Sequence, residues 1–145
     1  MNRKTGVFLA ALGIGVLGIL PGCPFYPVLE GYWLATDGAC CLNATYGDMV
    51  ITVEEKGTLS ATYMTNPYED PVPIDLHIAS GTGELGAFVG MDVLGICEVY
   101  DGVLTLILSE PGLAQRPTGF DDETDIFFSE SMVRYSFMDS HSPVN

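Results

Sequence analysis

Basic residues are scarce in this chain. Its 145 residues include five Lys and Arg against 19 Asp and Glu, so the formal net charge is −14 at pH 7. A surface of this sign repels the phosphates of nucleic acids and the headgroups of anionic lipids. We therefore expect no nucleic-acid partner, and any attachment to a membrane must depend on apolar groups rather than on surface charge.

The chain also lacks an apolar run long enough to span a membrane. Residues 7–20 are all Val, Phe, Leu, Ala, Ile or Gly, a run of 14, whereas a spanning helix needs about 20. A run of this length, placed after Arg3 and Lys4, is typical of the apolar core of an export signal. We expect residues 1–22 to be a signal peptide that is absent from the mature protein, which leaves few strong bases: Lys56, Arg116 and Arg134.

A cysteine follows this run in a specific context. Leu20-Pro21-Gly22-Cys23 resembles the lipobox of bacterial lipoproteins, although Pro21 stands where that family more often has a small residue. The resemblance implies that Cys23 receives a diacylglycerol thioether, that the chain is cut just before it, and that fatty chains such as palmitate anchor the protein in a bilayer. The alternative is an ordinary signal peptide with a chance cysteine.

Location and domain organisation follow from the lipobox. Each buried CH₂ of an acyl chain contributes about 0.8 kcal/mol to membrane binding, so the chains on Cys23 would hold the protein in the cell envelope. Pro24 in place of Asp resembles lipoproteins sent to an outer membrane, which favours that membrane, facing the periplasm, over the inner one. We expect a short tether at residues 23–29, one domain at residues 30–138 and a flexible tail at residues 139–145.

Three further cysteines would lie in a compartment that permits disulfides. Cys97 could form one bridge with Cys40 or Cys41 and leave one thiol spare, or all three thiols could be free. Adjacent cysteines do not have the spacing of a zinc site, and no other Cys or His pair completes one. We expect neither a metal site nor a cofactor.

From Glu30 onward, short segments alternate between apolar and polar residues, which is the pattern of half-buried β-strands. Turn signals separate them at intervals of roughly ten residues, as in a sandwich or barrel. Residues 103–108 are nearly all apolar and predict a strand that is covered on both faces, and His77 should face solvent. The sequence predicts an all-β domain of seven to nine strands with these alternating apolar sets: Met49, Ile51 and Val53; Leu59, Ala61 and Tyr63; Ile74, Leu76 and Ile78; Val133, Tyr135 and Phe137.

The start of the domain resembles a known fold family. Gly31-Tyr32-Trp33 has the Gly-x-Trp form of the first strand in lipocalins and their calycin relatives. In those folds the Trp closes one end of an up-and-down antiparallel barrel, and an Arg of the last strand packs across the indole. The resemblance assigns these barrel-closing roles to Gly31, Trp33 and Arg134.

Five short blocks follow one another in order within about residues 30–137: Pro73-Ile74-Asp75-Leu76, Gly81, Leu94-Gly95-Ile96-Cys97-Glu98, Leu104-Thr105-Leu106 and Arg116-Pro117-Thr118-Gly119-Phe120. Their succession resembles a small lipocalin-like domain found in many planctomycete proteins. The resemblance implies a barrel of about eight strands, or a partly open one, but no established activity. Cys97 stands where that family has Tyr. Arg116 then either hydrogen-bonds loop carbonyls and supports barrel closure together with Gly31, Trp33 and Arg134, which we favour, or binds an anion inside the barrel mouth.

No catalytic set is evident in the chain. The two histidines, His77 and His141, have no recognisable Ser and Asp partners, so we expect no enzyme activity. The acidic segment containing Asp121, Glu123 and Asp125 offers oxygen ligands for Ca²⁺, but it lacks the glycine and the distant glutamate of an EF-hand. A solvated connection between strands is the interpretation we favour.

From these observations we predict that the protein is a non-catalytic, membrane-anchored module that binds a small apolar ligand. Its ligand would contact inward-facing side chains of the barrel. An interior filled by side chains would favour a structural or protein-interaction domain of the envelope, and a cleft with two titratable groups would favour an envelope hydrolase. The predicted ligand-binding residues are Tyr63, Phe88, Leu104, Leu106 and Phe128.

Overall fold

The computed structural model describes residues 29–135. The predicted signal peptide, Cys23, residues 24–28 of the tether, residues 136–138 of the predicted domain and the predicted tail at residues 139–145 lie outside the described residues. Eight strands and one short 3₁₀ helix make up the domain: β1 (Gly31–Ala35), β2 (Cys40–Thr45), β3 (Asp48–Val53), β4 (Gly57–Thr65), β5 (Val72–Gly81), η1 (Gly83–Phe88), β6 (Asp92–Tyr100), β7 (Val103–Ser109) and β8 (Ile126–Arg134).

The eight strands form a closed antiparallel barrel. Each strand pairs with the next one along the chain, and β1 pairs with β8 so that no edge remains open. In this last ladder Trp33 lies opposite Arg134. The prediction of an all-β, up-and-down barrel of about eight strands is therefore confirmed, and the barrel is closed rather than partly open.

Period-two alternation places the apolar residues inside the barrel. Three of the four alternating sets predicted from sequence face inward, because their members are buried or pack against the buried cluster. The set at the end of the chain is wrong: in this part of β8 the buried residue is Met132, whereas Val133 and Tyr135 are exposed, and Phe137 lies outside the described residues. His77, on the opposite face of β5, is exposed as predicted. The largest side chains with almost no exposed surface include Trp33, Leu42, Met49, Ile74, Leu104, Leu106 and Met132.

One face of β7 is covered from outside the barrel. Leu106 and Leu108 point inward, whereas Ile107 points outward and is nevertheless fully buried beside its cross-strand partner Ile96. The long connection at residues 110–125 folds over this wall, because Arg116 donates hydrogen bonds to backbone carbonyls of β5 and β6. The prediction that residues 103–108 are covered on both faces holds at Ile107, while the outward-facing Thr105 is only half-buried.

The strands divide the connections between two ends of the barrel. The closed end comprises residues 29–30, 46–47, 66–71, 101–102 and Tyr135. The mouth end comprises residues 36–39, 54–56, 82–91 and 110–125. Because the barrel is an up-and-down meander, consecutive connections alternate between these two ends.

Candidate functional site

Trp33 closes one end of the barrel. Its side chain is fully buried, and its Nε1 donates a 2.8 Å hydrogen bond to the carbonyl oxygen of Leu29. The guanidinium carbon of Arg134 lies 4.8 Å from the indole centroid, and Nη2 of Arg134 donates a 3.0 Å bond to the carbonyl of Glu30. Gly31 has a φ of +132°, a conformation that suits glycine. The barrel-closing contact between Trp33 and Arg134 is therefore present.

The opposite end is partly covered by η1. The backbone N–H of Thr82 donates to the carbonyl of Thr58 at 2.8 Å, and the N–H of Glu84 donates to the carbonyl of Lys56 at 2.9 Å. A Cβ on Gly57 would clash with the carbonyl oxygen of Thr82, so this close approach requires glycine. These bonds hold η1 over the mouth, where Leu85 is buried against the core.

A cleft remains between η1 and β8 at the mouth end. Its volume is about 130 Å³, similar to a buried apolar cavity of about 150 Å³ that accommodates a benzene ring. Phe127 lies edge-to-face with Phe88, their ring centroids 5.0 Å apart. The cleft is apolar apart from Lys56, Ser129 and Glu130, and its other lining residues are Ile51, Val53, Leu59, Leu85, Phe127 and Phe128.

Glu130 places a carboxylate on the inner face of the barrel wall. It pairs with Leu106 across the ladder and shares its face with Phe128 and Met132. Burial raises the pKa of the Glu130 carboxyl, and the negative charge of Asp37 raises it further. Within residues 29–135 the ion pairs are His77–Asp92 and Arg116–Asp75, so Glu130 has no cationic partner there.

The structure separates the five predicted ligand-binding residues. Phe128 lines the cleft, and Phe88 packs against its rim. The prediction that Phe88 lies on a barrel strand is wrong, because Phe88 is the last residue of η1. Leu104 and Leu106 have no exposed surface and lie in the filled core. Tyr63 lies on β4 toward the closed end.

Sequence reasoning missed several of the residues that line the mouth. Leu85, Phe127 and Glu130 are absent from the predicted set. The alternation through Phe128, Glu130 and Met132 was a usable signal, since residues two apart on a strand share a face. The position of Leu85 depends on how η1 docks, for which the local sequence carries no comparable signal.

Arg116 has a structural role, but the prediction that it takes part in barrel closure is wrong, because it contacts β5 and β6 rather than the closed end. Its Nη1 donates to the carbonyl oxygens of Ile74 at 3.0 Å and Gly95 at 2.7 Å, and its Nη2 pairs with the Asp75 carboxylate. These partners lie on the outer wall of β5 and β6. The favoured interpretation, an arginine that bonds carbonyls, agrees with these contacts, although the carbonyls belong to strands and not to loops.

Cys40, Cys41 and Cys97 are free thiols, which corresponds to the second of the two arrangements considered from sequence. Cys40 and Cys97 are buried. Burial raises the pKa of each thiol to about 12, and the charge of Glu130 contributes at Cys40. Since the thiolate is the nucleophilic form, neither buried cysteine is suited to nucleophilic chemistry near neutral pH.

The acidic connection between β7 and β8 is organised by Asp122. Its carboxylate accepts hydrogen bonds from the backbone N–H groups of Thr118 at 3.3 Å and Thr124 at 3.2 Å. These bonds hold the pKa of Asp122 below its usual value. Over residues 29–135, no group of three or more His, Cys, Asp or Glu side chains is arranged to hold a metal ion.

In the described part of the chain, no helix has the length and apolarity needed to cross a membrane. Comparison of the sequence with protein-family models, with curated proteins and with solved structures finds no match.

Proposed function

We propose that this protein is a lipid-anchored lipoprotein of the cell envelope whose barrel mouth binds a small organic cation with an apolar group. The apolar group would occupy the cleft beside Phe127 and Phe128, and the cationic group would pair with Glu130. The lipobox at Cys23 and the resemblance to the planctomycete lipocalin-like domain support this proposal from sequence. No catalytic step is part of it.

The observation that carries the proposal is Glu130 itself. A carboxylate in an apolar wall loses hydration, and this loss is offset when a cation pairs with it. Lys56 lines the same cleft but is not within ion-pair distance of Glu130. A ligand that carries its own positive charge is complementary to this site, whereas a ligand carboxylate would be repelled by Glu130 and Asp37.

Benzylamine and benzyl alcohol provide a direct test. They have the same ring, which suits the size of the cleft, and differ chiefly in the charge of the attached group. We expect benzylamine to raise the melting temperature of the protein more than benzyl alcohol does, because ligands that bind the folded state stabilise it. Equal effects of the two compounds, or no effect of either, would contradict the ligand assignment.

The matched variant is Glu130→Gln, which keeps the size of the side chain but removes its charge. The variant should lose the preference for benzylamine over benzyl alcohol. Glu98→Gln, at an exposed outward-facing glutamate of β6, controls for the change in net charge and should keep the preference. Loss of the preference in both variants would show that overall charge, rather than Glu130, determines it.

The anchoring part of the proposal has its own measurement. Mass spectrometry of the mature protein from its native cell should find a chain that begins at Cys23 and carries acyl groups. An unmodified Cys23 would contradict the anchoring without affecting the ligand assignment.

A second candidate function is a structural or protein-interaction domain of the envelope. The observation that favours it is the filled interior: Leu104, Leu106 and Met132 have no exposed surface. The cleft at the mouth therefore accommodates a ring-sized group and not a long lipid chain. Absence of binding by any small aromatic cation, together with normal stability, would favour this second candidate.

A further inference from the structure

The most exposed aromatic side chains of the barrel are gathered at its closed end. Tyr46, Tyr68 and Tyr100 are 93%, 84% and 76% exposed. They belong to three separate connections or strand ends: the β2–β3 turn, the β4–β5 loop and the last residue of β6. Residues far apart in sequence thus present tyrosine rings at one end of the fold.

The chain enters the barrel at this same end. Leu29 lies beside Trp33 at the closed end, and Cys23 precedes Leu29 by six residues. Six residues span at most about 20 Å, so an acyl group on Cys23 would keep the closed end within about that distance of the bilayer surface. Two of the intervening residues, Phe25 and Tyr26, are also aromatic.

Acidic residues are distributed unequally between the two ends. Ten belong to the mouth-end connections or to the strand residue beside them: Asp37, Glu54, Glu55, Glu84, Asp92, Glu110, Asp121, Asp122, Glu123 and Asp125. Six lie at or near the closed end: Glu30, Asp48, Glu69, Asp70, Glu98 and Asp101. The mouth end is therefore the one that a bilayer containing anionic lipid repels more strongly.

We infer that the closed end lies against the lipid bilayer, with Tyr46, Tyr68 and Tyr100 in the headgroup region and the mouth facing away from the membrane. This inference rests on the proposed lipid anchor at Cys23. Tyrosine suits this position because its ring is apolar while its hydroxyl group remains hydrated, which is why tyrosine is enriched at membrane interfaces.

A weak contact is sufficient for this arrangement. A short tether gives the tethered group an effective concentration on the order of millimolar, so rings that bind free lipid poorly would still occupy the interface. Carboxylates at the closed end favour a bilayer without net charge over an anionic one. The orientation would also leave the cleft at Glu130 open to ligands from the aqueous side.

The test places a tryptophan at each end of the lipidated, full-length protein in vesicles of zwitterionic phosphatidylcholine that contains brominated acyl chains. Tyr100→Trp reports on the closed end, and Ala87→Trp, at an exposed position of η1, reports on the mouth. The unsubstituted protein supplies the background from Trp33. We expect the tryptophan fluorescence of Tyr100→Trp to shift to shorter wavelength and to be quenched by the bromine atoms of the lipid. The fluorescence of Ala87→Trp should show neither change.

Further variants separate the contribution of the rings from that of the tether. Adding Tyr46→Ser and Tyr68→Ser to Tyr100→Trp should reduce the loss of emission, as should anionic phosphatidylglycerol in the vesicles. Equal quenching of the tryptophans introduced at positions 100 and 87, in samples whose acyl mass is verified, would overturn this inference and leave the anchor intact. A sample that lacks the acyl mass would contradict both the anchor and the inference.

Discussion

Glu130 lies directly across the β7–β8 ladder from Leu106, a residue with no exposed surface. The barrel wall therefore presents a carboxylate to its own apolar interior near the mouth. An ordinary antiparallel strand would have an apolar residue at that position, because one face of the strand packs on the core. Glu130 is an exception to this pattern, because a carboxylate replaces an apolar side chain on the inner face of β8. Positions that depart from the packing pattern in this way are often functional.

The stability of the folded protein should depend on pH through the ionisation of Glu130. Burial raises the pKa of its carboxyl group in the folded state, so between the ordinary and the raised pKa the folded protein binds more protons than the unfolded one. Stability from this group is therefore present at low pH and is lost as pH rises through the folded pKa. Glu130→Gln should melt higher than the unsubstituted protein near neutral pH and lose this advantage at about pH 4.

Three neighbouring groups bear on that measurement: Asp37, Cys40 and Lys56. Asp37 adds to the raised pKa of Glu130, and Glu130 in turn acts on Cys40, while Lys56 lines the same cleft. Repeating the pH series with Asp37→Asn should reduce the pH-dependent loss without abolishing it, because burial is the larger cause. An unchanged pH profile in Glu130→Gln would contradict the assignment.

Trp33→Ala should destabilise the barrel by about 3–5 kcal/mol, the usual cost of removing a large buried aromatic. The substitution removes the indole that contacts Arg134 and the hydrogen bond to the carbonyl of Leu29. Chemical denaturation measures this loss. Tyr32→Ala is the control, since Tyr32 is adjacent but partly exposed, and its effect should be clearly smaller.

Arg116→Met should destabilise the protein by about 2–3 kcal/mol, since hydrogen bonds to a charged group are worth more than neutral ones. It leaves the carbonyls of Ile74 and Gly95 without this donor. Asp75→Asn removes only the partly exposed ion pair and should cost less than about 1 kcal/mol. Equal losses in the two variants, measured by chemical denaturation, would show that the ion pair is the main contribution.

Gly95→Ala should destabilise the barrel by about 1–3 kcal/mol, the usual cost of overpacking a core. A Cβ at this position would lie 2.5 Å from both the carbonyl oxygen of Ile107 and a methyl group of Leu108. The control is Gly119→Ala, whose Cβ would meet only the carboxylate end of the Asp121 side chain, at 2.8 Å. That flexible group can move, so the thermal melt of the control should change little.

The thiols should differ in their reaction with iodoacetamide. Cys40 and Cys97 are buried with pKa values raised to about 12, so only about one thiol in 10,000 is ionised at about pH 8. Cys41 is partly exposed and should be alkylated first. Peptide mapping before and after unfolding identifies the modified residues; rapid native labelling of Cys97 would show that the core opens readily.

The barrel itself was predictable because its rule is local. Alternation through Met49, Ile51 and Val53, and through Ile74, Leu76 and Ile78, fixes which face of each strand is buried, whatever the strand pairs with. The Gly31-Tyr32-Trp33 segment and Arg134 indicated the closed end because a family resemblance connected two distant positions. The His77 side chain faces solvent for the same local reason.

The candidate site was less predictable because it depends on distant segments meeting. Leu104 and Leu106 have the apolar character of ligand-binding residues, but the tertiary structure places them in the filled core. Phe88 was assigned to a strand, yet it lies in η1, which is held over the mouth by bonds to Lys56 and Thr58. Neither outcome follows from a residue and its neighbours alone.

By itself, the sequence determined which faces of β3, β4 and β5 are buried, the acidic surface and the residues that close one end, since these depend on composition and on a two-residue period. Only the tertiary structure decided which inward residues line a cleft and that Arg116 donates hydrogen bonds to the outer face of β5 and β6. It also decided that Tyr46, Tyr68 and Tyr100 share the end where the chain enters. The physical reason is closure: pairing β1 with β8 fixes which connections meet at each end of the barrel, and that relationship is not local in sequence.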